Sequence, residues 1–60
     1  MTLAEPIPEL SVVRVSDQQG TIVHVHRNGE AYEIEFSNPS RVVTVLAREI
    51  QAVVWVPPGG

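Results

Sequence analysis

The stretch that decides the fold is Gly20–Phe36, GTIVHVHRNGEAYEIEF. Two segments rich in β-branched and aromatic residues, Gly20–Arg27 and Glu30–Ser37, flank the pair Asn28-Gly29. A two-residue type I′ turn needs positive φ at both central positions, and Asn-Gly adopts that conformation most readily. The segment therefore predicts a β-hairpin turned at Asn28-Gly29. Such a turn places Arg27 opposite Glu30, His26 opposite Ala31, Val25 opposite Tyr32, His24 opposite Glu33, Val23 opposite Ile34, Ile22 opposite Glu35 and Thr21 opposite Phe36. One face then collects Thr21, Val23, Val25, Tyr32, Ile34 and Phe36. The other collects His24, His26, Glu33, Glu35 and an isolated Ile22. Alternation agrees on both strands, so the register is strongly specified, and a slip of one residue would expose the whole apolar set.

Working outward, Leu10–Val15 contains the β-branched run SVVRV and reads as a first strand, followed by SDQQG, which has the composition of a loop. Beyond the hairpin, Asn38-Pro39-Ser40 reads as a turn and Arg41–Leu46, RVVTVL, as another strand. Leu46–Val54 also fits helical spacing through Leu46, Ile50, Val53 and Val54. Its composition decides the matter. Valines at 42, 43 and 45 and again at 53, 54 and 56 favour strands on both sides, leaving Ala47–Ile50 for one helical turn. Prolines at 6 and 8 make residues 1–9 an extended arm, and residues 57–60 form a tail after a barrel of residues 10–56. The fold class predicted is all-β: a small five-stranded SH3-like barrel with one helical turn before the last strand.

The stretch GTIVHVHRNGEAYEIEF, followed by VVTVLAREIQAV, resembles a family of very small bacterial proteins known as domain of unknown function 4926. The succession of a glycine, a β-branched hairpin and an acidic helical turn is also similar to the small SH3-like subunits of photosystem I and of ferredoxin-thioredoxin reductase. Those subunits carry more basic residues. The resemblance implies an SH3-like barrel and, because one fold hosts many functions, implies no activity.

A chain of 60 residues makes one domain at most. A chain of that size hides only about 60% of the surface its unfolded form exposes. Without cysteine it has no disulfide to add. Association with a copy of itself or with a larger partner is the natural supplement. The N-terminal MTLAEPIPEL lacks the pattern of a secretory signal, and no apolar stretch approaches the roughly 18 residues that span a bilayer. A cytoplasmic location without membrane attachment is expected. A net charge of −3, from four arginines against seven acidic residues, opposes general binding to a phosphate backbone.

Four constellations bear on chemistry. His24 and His26 alternate on one strand and so share a face with Glu33, a weak candidate metal site that lacks a further ligand. Glu30, Glu33 and Glu35 lie on or beside an open face rather than in a cleft that would tune them for acid-base work. The serines have no base spaced near them, and no glycine-rich phosphate loop is present. Catalysis and cofactor binding are therefore not expected. Gly20 before a β-branched run is similar to the KOW element of RNA-binding barrels, but the loop DQQG carries an acid and no lysine. Peptide-binding SH3 grooves need several aromatics, whereas only Tyr32, Phe36 and Trp55 occur here.

Trp55 remains, in the last strand, closing the barrel mouth or anchoring a partner. The expected function is a non-catalytic interaction module, accessory or antitoxin-like, that joins another protein or a second copy through Trp55, Ile22, Val42 and Leu46. The alternative is a KOW-like nucleic-acid-binding barrel using Arg14, Arg27, Arg41 and Arg48.

Overall fold

A computed structural model describes residues 6–37 and 39–59. The first five residues of the expected arm, Asn38 of the expected turn and Gly60 of the tail lie outside the described residues. The chain forms β1 (Val12–Val15), β2 (Gln18–His26), β3 (Ala31–Phe36), β4 (Arg41–Leu46), a 3-10 turn at Ala47–Glu49 and β5 (Ala52–Trp55). All five strands belong to one sheet in the order β4-β3-β2-β1-β5, with every neighbouring pair antiparallel. The first four strands are a meander, and the chain then crosses so that β5 lies against β1. This all-β topology, with its 3-10 turn before the last strand, is consistent with an SH3-like barrel.

The residues that make the turns differ from those expected. Ser16 and Asp17 alone connect β1 to β2, both at positive φ (50° and 63°), while Gln18 and Gln19 already belong to β2. The tight two-residue turn of this protein is therefore Ser16-Asp17. Between β2 and β3 the loop is longer, Arg27–Glu30. Arg27 and Asn28 carry positive φ (50° and 59°), and the amides of Gly29 and Glu30 both donate to the His26 carbonyl, at 2.9 and 3.1 Å. The central pair has moved one residue toward the N-terminus. Gly29 is still required, because it sits at φ 105° and a Cβ there would come within 3.0 Å of Pro6 and of the Tyr32 hydroxyl.

The hairpin register follows expectation next to the turn and departs from it further out. His26, Val25 and His24 pair with Ala31, Tyr32 and Glu33, but Ile22 pairs with Ile34, Thr21 with Glu35 and Gly20 with Phe36. Val23 is the additional residue of a β-bulge, two residues opposing one, and every position before it changes face. The core shows why. Straight alternation would point Thr21 and Gln19 inward with Val23, whereas the bulge points Ile22 and Gly20 inward instead. Ile22 is fully buried and Val23 is 36% exposed. Gly20 fits beneath its neighbours because a Cβ there would collide with Ile34 Cγ2 and meet Phe36 Cε1 at 2.9 Å.

The core is Val13, Val15, Ile22, Tyr32, Ile34, Phe36 and Val45, with Ile7, Val25 and Ile50 packed against it. Ile7 belongs to the arm, which is tied down by its amide donating to the Tyr32 hydroxyl at 3.0 Å. Leu10, at φ 73°, turns the chain into the sheet; its amide donates to the Ile22 carbonyl at 2.7 Å, and Ile22 donates back to Ser11 at 2.9 Å. The 3-10 turn is held by Glu49, whose carboxylate accepts from the Leu46 amide at 2.9 Å, and by the Gln51 amide on the Arg14 carbonyl at 2.8 Å.

The bulge makes a prediction that a regular hairpin reverses. Ile22→Ala should cost about 2–4 kcal/mol in urea unfolding and Val23→Ala less than about 1 kcal/mol. Gly20→Ala should cost about 1–3 kcal/mol through overpacking, read from the same transition midpoints.

Candidate functional site

The surface is best described by the two faces and two edges of the sheet. The inner face carries the core, and its outermost members on the edge strands are Val43, paired with Ile34, and Val53, paired with Val13. Both are still 40–47% exposed, so the core thins out toward each edge. The outer face is polar at its centre, with His24, His26, Glu33 and Glu35.

Of the four residues expected at a partner surface, one must be withdrawn. Ile22 was expected on the outer face, but the bulge at Val23 turns it inward, where it has no exposed surface. The other three are exposed: Val42 at 55%, Leu46 at 42% and Trp55 at 50%. They belong to the two edge strands: Trp55, on β5, pairs with Val12, while Val42 and Leu46, on β4, pair with Glu35 and Ala31, at opposite ends of the strand order. Four strand spacings separate Trp55 from Val42 along the sheet, about 19 Å.

A second irregularity sets the orientation of Trp55. Val12 pairs with Trp55 and Val13 with Val53, so Val54 is an extra residue on β5. Simple alternation puts Val53 and Trp55 on the same face. With the bulge, Val53 shares the inner face of Val13, and Trp55 shares the outer face of Val12. The indole therefore does not plug the core. Sequence reasoning centred on Trp55 passed over its neighbours: Val53, Val54 and Val56 are 47%, 43% and 43% exposed. The signal that marks them is the absence of charge across Gln51–Val56, QAVVWV, in a strand with no buried position.

The histidines do share a face, and they form a string with the carboxylates beside them. His26 Nε2 lies 3.2 Å from Glu33 Oε2, and His24 Nδ1 lies 4.0 Å from Glu9 Oε2. Their rings meet edge to face, with centroids 4.6 Å apart and planes at 70°. Glu33 thus bonds the diagonal His26 rather than His24, its direct cross-strand partner. Among the described residues no group of three or more histidines and carboxylates is placed to hold a metal ion. The contacts are those of a partly exposed polar face.

The four arginines come from four different elements. Arg27 lies in the β2–β3 loop and Arg48 in the 3-10 turn, which is joined to that loop by the Ala47 amide on the Glu30 carbonyl at 3.0 Å. Arg14, on β1, pairs with Gln19 and its carbonyl accepts from the Gln51 amide, and Arg41, on β4, pairs with Phe36. Arg41 is also engaged. Its guanidinium lies 4.9 Å from the Phe36 ring centroid and donates to Gln18 Oε1 at 2.8 Å and to the Pro39 carbonyl at 3.2 Å. That places it as a cover on the core beside Gly20 and Phe36.

These features define a small all-β domain, a five-stranded antiparallel meander with a polar outer face and two apolar edges. Within that class the chain belongs to the family described as Domain of unknown function (DUF4926), whose model matches residues 1–51. The match ends at the residue before β5. No curated protein and no solved structure gives a match. Among the described residues no helix is long and apolar enough to cross a membrane.

A half-exposed Trp55 and a buried Phe36 should respond differently to truncation. Trp55→Ala is expected to change the unfolding free energy by less than about 1 kcal/mol, and Phe36→Ala to lower it by about 3–5 kcal/mol. Urea titration followed by circular dichroism checks both without relying on the indole.

Proposed function

We propose that this protein is a non-catalytic interaction module that docks through the apolar edges of its sheet, first through β5. The observation that carries this reading is that every residue of β5 is exposed although none is charged and most are large and apolar. An open sheet edge offers unpaired backbone donors and acceptors, and proteins that keep such an edge free usually blunt it with charge or proline. Ala52–Trp55 has neither. Added backbone pairing supplies affinity in this mode of recognition, and side chains on alternate faces supply selectivity. Trp55 suits the anchor role, since tryptophan carries a large share of the energy at many interfaces. Seating on a second small protein, as an accessory or antitoxin-like subunit does, is one form of this function.

Reading the chain as a nucleic-acid-binding barrel has less support, because the net charge is −3 and Arg41 is engaged with Phe36, Gln18 and Pro39. Non-specific phosphate binding is strongest at low salt, so an RNA or DNA titration in dilute buffer compares the two readings. No binding is expected.

The direct test immobilises the full chain and exposes it to protein from its source. Wild type should retain a partner or further copies of itself, Trp55→Ala should lose most of what is retained, and Arg27→Ala should lose none. Retention that is indifferent to Trp55→Ala, or no retention at all, would sink the reading.

A further inference from the structure

We infer that Asn28 is a site of spontaneous covalent modification, its side-chain amide displaced by the main-chain nitrogen of Gly29, and that the arm around Pro6 keeps the site closed. The inference is independent of the interaction reading. Asparagine is one of the thermally labile side chains, and this reaction needs only the chain and water. The Gly29 nitrogen gives up its proton and bonds to Cγ of Asn28, closing a cyclic succinimide. The bond from Cγ to the side-chain nitrogen breaks, and that nitrogen leaves as ammonia with the proton. Water then opens the ring at either carbonyl. The product is aspartate at position 28, or its isomer in which the main chain runs through the side-chain carboxyl carbon.

The sequence singles out this position. Glycine has no Cβ to obstruct the attack by its own nitrogen. The chain's other asparagine, Asn38, precedes Pro39, whose nitrogen has no hydrogen to give up. Gln19, before Gly20, would have to close a larger ring within β2. Asn28 is exposed, so water reaches its amide.

The fold opposes the reaction in two ways. The Gly29 amide donates to the His26 carbonyl at 2.9 Å, and its nitrogen cannot release the proton without giving up that bond. The arm also stands against the glycine. A Cβ on Gly29 would lie 3.0 Å from Pro6 Cβ, 3.2 Å from Pro6 Cα and 3.0 Å from the Tyr32 hydroxyl, so the peptide that must turn is hemmed in by both residues. Pro6 is held in place by its neighbour. The Ile7 amide donates to the same Tyr32 hydroxyl at 3.0 Å, and the Ile7 side chain packs on the core.

Modification changes the loop. It puts a carboxylate two residues from Glu30 in a chain whose net charge is already −3. The isomer lengthens the main chain inside a loop whose Gly29 and Glu30 amides share the His26 carbonyl, and whose Glu30 carbonyl accepts from Ala47 of the 3-10 turn. Release of the arm is thereby coupled to an irreversible change at the hairpin end of the sheet.

Mass spectrometry of the full chain, incubated at mildly alkaline pH in buffer and in guanidinium chloride, tests this. Conversion appears as the mass gain of an amide exchanged for an acid, carried by residues 28–41 after cleavage at Arg27 and Arg41. The denatured chain should convert at least about tenfold faster than the folded one, and Pro6→Gly should speed the folded chain at least about threefold by freeing the loop to open locally. Should circular dichroism show that Pro6→Gly does not fold, Ile7→Ala carries the same test. Val15→Ala, a core change on β1, should speed conversion less than the arm variant does. No conversion in denaturant overturns the site. Equal rates in the folded and denatured chains, or an arm variant no faster than wild type, overturn the protection by the arm. A Val15→Ala chain as fast as the arm variant overturns it too, because conversion would then follow global unfolding.

Discussion

The additional residue at Val23 is the constraint on which the rest of the structure depends. A strand has a side-chain period of two, so one inserted residue exchanges inside for outside along everything beyond it. In β2 that exchange brings Ile22 and Gly20 under Ile34 and Phe36 and removes Thr21 and Gln19 from the interior. Gly20 then sits where a side chain has no room, and Phe36 fills the space with Arg41 lying over its ring. Without the bulge the same sequence would have to bury a threonine and a glutamine amide, groups that cost free energy unless hydrogen-bonded.

This arrangement gathers the buried side chains on β1, β2 and β3 and leaves the edges underfilled. Only Val45 of β4 is buried, and no residue of β5 is. Val43 and Val53 face the same side as the core but keep much of their surface open. A domain of this size has little apolar surface to spare. Its two edge strands nevertheless hold apolar residues that burial within the chain does not use. The interaction reading follows from that imbalance.

Elsewhere the surface is ordinary in kind and ordered in detail. The string Glu9, His24, His26 and Glu33 ties the arm, β2 and β3 together across the outer face through partly exposed contacts. The arginines attend to loop ends and, at Arg41, to the core. Neither group converges on a cleft. Family membership adds the class of the domain and leaves its activity to be found by experiment.

By itself the sequence determined the all-β class, the hairpin about Asn28, the pairing of His24 to His26 with Ala31 to Glu33, and the single helical turn before the last strand. These depend on short-range preferences: β-branched runs, a residue tolerant of positive φ, an acid able to accept from a nearby amide. Tertiary structure alone decided that Ile22 lies inside and Val23 outside, that the tight turn falls at Ser16-Asp17, and that Trp55 and Val42 stand at opposite edges. The physical reason is common to all three. A bulge, a turn position and a strand order are chosen by what packs against a strand from elsewhere in the chain, and the alternation within Gly20–Phe36 reads the same whether or not one residue has been stepped over.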